Sequence, residues 1–79
     1  MQIQVTVAND HKRTNPAIWL EDTTTLKAAF AKAGIEIGNG MIQLNGETLD
    51  DADINKTFAQ CGVTGRTATL SATVKSVGN

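Results

Sequence analysis

The single cysteine, Cys61, is where nucleophilic or redox chemistry would have to start in this chain. A thiol attacks only as its thiolate, and the thiolate needs a cation or an imidazole base beside it. The single histidine, His11, belongs to a different part of the chain, and no His–Asp pairing accompanies Cys61. A lone small thiol following Phe58 and preceding Val63 reads as packing, with the inertness that burial brings. No other set of residues forms a nucleophile–base constellation, so the sequence predicts a protein that is not an enzyme.

Glu47, Asp50, Asp51 and Asp53 concentrate negative charge. A calcium loop would need carboxylates at alternate positions followed by a glycine and a distant glutamate, and Leu49 and Ala52 interrupt that pattern. The acidic residues therefore read as solvated charges, with Asp51 expected to pair with Lys27, and no metal or cofactor is expected. His11-Lys12-Arg13 is a basic loop tip that would suit an acidic partner. It lacks the stacking aromatics and further cations of a nucleic-acid surface. Trp19 is the large aromatic that periodicity does not assign to the core. Exposed tryptophan is a common binding anchor, because its rigid area costs little entropy to bury.

These residues must be positioned by a small frame. Seventy-nine residues suffice for one domain, spanning 1–79, with a core of aliphatic side chains and only three aromatics. The formal net charge of −1 gives no basic excess for phosphates, so no nucleic-acid partner is expected. No continuous apolar run suits a signal peptide or a membrane span. One cysteine fits a reducing compartment. The expectation is a cytoplasmic monomer whose partner is another protein.

Period-two alternation over Gln2 to Val7 predicts a half-buried strand with Ile3, Val5 and Val7 inward. A polar stretch ending in Asn15-Pro16 then leads to a second strand over 17–21, and the proline suits a sheet edge. Ile18 and Leu20 are taken as its inward residues, which leaves Trp19 on the open face; a slip of one residue would reverse that and bury Trp19. Asp22-Thr23-Thr24-Thr25 offers helix caps, and Leu26, Ala29, Phe30 and Ala33 form one helical stripe closed by Gly34. Gly38-Asn39-Gly40 reads as a turn. Asn45-Gly46 is a strong hairpin signal between short strands at 41–44 and 47–49. Thr57 can cap a helical turn holding Phe58 and Cys61, closed by Gly62. The last strand begins at Thr67, with Leu70, Ala72 and Val74 inward. Together these elements give an α+β fold: one helix packed on a mixed sheet of four to five strands.

In this order and spacing the chain resembles the ubiquitin-like β-grasp family, including small bacterial ubiquitin-like proteins. The resemblance rests on Met1-Gln2-Ile3 with Val5, on Asp22-Thr23, Leu26-Lys27-Ala28, Phe30 and Gly34-Ile35. It continues through Ile42, Leu44, Gly46, Leu49 and Asp51 to Thr57-Phe58, Val63 and Thr69-Leu70. It requires a longer first hairpin and a small insertion near Ala52-Asp53. Two family features are altered. The family's modifiers end in Gly-Gly, whereas this chain reads Gly78-Asn79, so attachment through Gly78 would first require removal of Asn79. The family's apolar receptor patch falls here on Gln43, Ser71 and Thr73, with Ala8 in place of a leucine. The resemblance thus implies the fold without the usual surface, a non-covalent interaction module. The alternative is a covalent modifier or sulfur carrier activated at Gly78.

Overall fold

The computed structural model describes residues 1–37 and 41–73. Its first strand, β1 (Gln2–Ala8), buries Ile3, Val5 and Val7 completely, as the alternation requires. β2 (Ile18–Glu21) pairs antiparallel with it, in the register Ile3 opposite Leu20 and Gln4 opposite Trp19. Residues facing each other across two strands share a side of the sheet. The buried Ile3 therefore fixes Leu20 inward and Trp19 outward.

Helix α1 (Leu26–Ala33) begins at Thr25, whose side chain accepts a hydrogen bond from the Ala28 amide at 3.1 Å. It ends at Gly34, whose φ of 70° lies in the left-handed region that favours glycine. Of the stripe predicted from their spacing, Leu26, Ala29 and Phe30 are buried and Ala33 is half-buried against the core. The short strands β3 (Ile42–Leu44) and β4 (Glu47–Leu49) flank Asn45-Gly46, whose positive φ values of 52° and 87° suit the tight hairpin turn. β5 (Thr67–Ala72) buries Ala68, Leu70 and Ala72. The sheet order is β2-β1-β5-β3-β4, with β1 and β5 parallel and the other three neighbouring pairs antiparallel.

The Thr57 turn forms as expected. The Gln60 amide donates to the Thr57 hydroxyl, the Thr57 amide donates to the Gln60 side chain, and Gly62 follows at φ 88°. Phe58, wholly buried, is delivered by this turn into the core beneath the helix start, where its amide reaches the Thr24 carbonyl.

Two features differ from expectation. Asp51–Asn55 forms a 3-10 helix where only solvated charge was read. Asp51 does not pair with Lys27; the ion pair in this region is Asp53 with Lys56, at 2.9 Å. The 3-10 helix places Asp53 and Lys56 three residues apart on adjoining turns, and the Asp53 carboxylate also accepts from the Asp50 amide. The expected turn at Gly38-Asn39-Gly40, the inward placement of Val74 and the Gly78 tail lie outside the described residues.

Candidate interaction surface

The outer face of the sheet carries the side chains left over by core alternation. Trp19, Gln4 and Thr67 form one row across β2, β1 and β5. Arg13, Ala8, Ser71, Gln43 and Thr48 form another, since Ala8 bridges Arg13 in the first loop, Ser71 pairs with both Ala8 and Gln43, and Gln43 faces Thr48. Four residues along β1 and three strand spacings separate Trp19 from Gln43, roughly 20 Å in all. The residues predicted to share one surface therefore occupy opposite corners. The basic loop joins the Gln43–Ser71 corner, and Trp19 stands apart on the sheet edge.

At the first corner, the loop is built around Asn9. Its side-chain oxygen accepts from the amides of His11 and Lys12, and its side-chain nitrogen donates to the Glu36 carbonyl beyond the helix. His11, Lys12 and Arg13 are exposed. Ser71 and Gln43 are half-buried and Thr73 is exposed, so this corner offers hydroxyls and amides with little apolar area. Met41 is the exception, exposed beside Thr73, whose amide bonds the Met41 carbonyl. Sequence alternation along β3 had the signal to find Met41, because it lies one residue before the inward Ile42.

At the second corner, Trp19 is 59% exposed while Leu20 is only 7% exposed. Glu21, two residues on and on the same face, is also exposed. Its carboxylate and that of Asp22 lie 3.4 and 3.3 Å from the Met1 α-amine. The hydrogen bond and charge of Asp22, reinforced by Glu21, hold that amine's pKa above its ordinary value.

Cys61 is half-buried against the core. Burial first, and the negative Asp53 second, push its thiol up, which disfavours the thiolate that chemistry would require. Among the described residues, no three His, Cys, Asp or Glu side chains are placed to hold a metal. No helix among them is long and apolar enough to cross a membrane.

No family model matches the chain, and no curated protein matches it in sequence. In structure it is similar to the solution NMR structure of the ubiquitin-like domain of Arabidopsis thaliana protein At2g32350. The likeness covers 99% of this chain and 82% of that one, with a TM-score of 0.68 and 20% identity. The fold is the ubiquitin-like β-grasp, and at this identity the likeness extends to the fold alone.

Proposed function

We propose that this domain is a non-covalent protein-interaction module that engages its partner through Trp19 at the β2 edge. The observation behind this reading is the 59% exposure of a tryptophan whose two strand neighbours face the core. Leaving so large an apolar group in water on an otherwise polar sheet is unfavourable unless something covers it, and tryptophan is a frequent energetic centre of protein interfaces. Gln43, Ser71 and Thr73, with His11, Lys12 and Arg13, form a separate polar and basic corner that fits a rim better than an anchor. The domain acts as a monomer, without cofactor or catalysis, and its single half-buried thiol suits the cytoplasm.

Quantitative affinity capture from the native cell tests this, comparing the natural chain with Trp19→Ala and Gln43→Ala. Partners held by the natural chain and by Gln43→Ala should disappear with Trp19→Ala. Loss with Gln43→Ala alone would move the site to the opposite corner.

A further inference from the structure

We infer that Asn45 is a self-modification site that the fold holds intact. A hydrogen bond from the Thr69 amide keeps its side chain from the Gly46 nitrogen, and opening of this end of the β3–β5 pair releases it to become aspartate or isoaspartate. The site is independent of Trp19, which lies at the opposite edge of the sheet.

The β3–β5 ladder is interrupted at its turn end. It pairs Ile42 with Ala72, Gln43 with Ser71 and Leu44 with Leu70, so the next facing residues are Asn45 and Thr69. The Thr73 amide donates to the Met41 carbonyl, which makes Met41–Thr73 a bonded pair. Bonded and non-bonded pairs alternate along an antiparallel ladder, so Asn45–Thr69 is a position where two backbone bonds should be exchanged. Only one of them joins backbone to backbone: the Asn45 amide donates to the Thr69 carbonyl at 2.8 Å. The return bond goes to the side chain, the Thr69 amide donating to Asn45 Oδ1 at 2.9 Å. The left-handed φ of 52° turns the Asn45 main chain away into the hairpin, and the side chain stands in for the missing backbone acceptor.

That bond restrains a reaction the dipeptide can perform by itself. The side-chain amide of asparagine is electrophilic at Cγ, and the next backbone nitrogen can close a five-membered ring on it. The Gly46 N–H loses its proton to solvent base, and the nitrogen bonds to Cγ. The Cγ–Nδ2 bond then breaks, and Nδ2 leaves as ammonia with a proton supplied by water. One water opens the resulting imide. Cleavage of the new Cγ–N bond gives aspartate. Cleavage between the Asn45 backbone carbonyl carbon and the nitrogen gives isoaspartate, with the main chain routed through the former side chain. The sum is an amide plus water giving a carboxylic acid plus ammonia, with no oxidant or reductant. Glycine favours the step because it sets no Cβ beside the attacking nitrogen. Asn45 and Gly46 are both exposed, so water and base reach them.

Two features of the folded hairpin oppose ring closure. The Thr69 bond directs the Asn45 side chain toward β5. The ring also needs Cβ, Cα, the carbonyl carbon and the Gly46 nitrogen near one plane. Reaching that plane takes a main-chain rotation that breaks the left-handed Asn45-Gly46 turn and the β3–β4 register. Conversion therefore proceeds from molecules in which this corner has opened, and each event records an opening permanently. The two products differ in what they restore. Aspartate keeps an oxygen for the Thr69 amide, whereas isoaspartate adds a carbon to the main chain of a two-residue turn and shifts β4 against β3.

The sequence holds a second Asn-Gly pair at Asn39-Gly40, outside the described residues, so the test uses the whole domain carrying Asn39→Gln. It is incubated at neutral pH across a urea series that passes its unfolding midpoint. Peptide mapping by mass spectrometry follows amide-to-acid conversion at Asn45, and hydrogen exchange of the Thr69 amide is measured on the same samples. Conversion should be about a hundredfold slower in the native domain than in the unfolded chain, and should rise with urea in step with Thr69 exchange. Gly46→Ala should slow it severalfold in the unfolded chain, where no fold contributes. Native conversion at nearly the unfolded rate would overturn the gate. So would conversion that rises while the Thr69 amide stays protected. An Asn45 that survives in the unfolded chain as long as Asn55, which precedes lysine, would remove the site altogether.

Discussion

Replacing Trp19 by alanine separates exposure from burial more sharply than any other change in this domain. Trp19 is 59% exposed, so about two-fifths of a surface of roughly 250 Å² is withdrawn from water, on the order of 100 Å². At about 25 cal/mol per Å² that burial is worth no more than about 2.5 kcal/mol. Part of it is present already in the unfolded chain, and alanine keeps the Cβ contacts, which brings the expected cost to about 1–1.5 kcal/mol. Leu20, 7% exposed on the next residue, should cost about 2–4 kcal/mol when cut to alanine, because a cavity is left in the core. In a domain of this size 1 kcal/mol corresponds to a melting-temperature shift of about 4–8 °C. Urea and thermal unfolding of the two variants, followed by far-ultraviolet circular dichroism, make the comparison directly. A cost for Trp19→Ala of about 3 kcal/mol or more, matching or exceeding Leu20→Ala, would refute the strand register and with it the interaction site.

Phe58→Ala should cost about 3–5 kcal/mol, since the side chain is wholly buried, and leave the domain near its unfolding threshold in a urea titration. Gly34→Ala should cost about 1 kcal/mol by the same assay. An added Cβ meets nothing within 4 Å, so the penalty comes from the left-handed backbone at φ 70° and not from a clash. The Asp53 carboxyl is held below its ordinary range chiefly by its hydrogen bond to Lys56, then by the Asp50 amide. Its folded pKa lies below its unfolded one, so its contribution to stability is present above the ordinary aspartate range and fades as pH falls through the lowered value. Asp53→Asn should flatten that segment of the acid limb in a pH series of unfolding midpoints, lowering the midpoint near neutrality and leaving it unchanged at pH below the lowered value. Reaction with a maleimide should be slow at Cys61 in the native domain and accelerate once urea exposes the thiol, because burial disfavours the thiolate.

The elements that alternate or repeat at helical spacing were legible in the residues themselves. Ile3, Val5 and Val7 define β1, and Leu26, Ala29, Phe30 and Ala33 define the helix stripe; Asn45-Gly46 gives the hairpin. The register of β2 needed more. Ile18, Trp19 and Leu20 are all apolar, so alternation alone leaves two solutions, and only the pairing of Leu20 with the buried Ile3 chooses between them. The 3-10 helix Asp51–Asn55 was hidden because it buries no residue and is held by side-chain bonds of Asp53 instead of a hydrophobic stripe. Sequence alternation also assigns a residue to a face without locating it on that face. Trp19 and Gln43 both point outward, yet β1 and β5 intervene between their strands and set them at opposite corners.

The central claim is that this ubiquitin-like domain works without covalent attachment. The most direct test is the intact mass and C-terminal peptide of the protein recovered from its native cell through an N-terminal tag. The account predicts a chain that is not cleaved after Gly78, is unmodified and is joined to nothing. A chain ending at Gly78, carrying sulfur or linked to a lysine of another protein, would contradict it and make this domain a processed modifier or carrier.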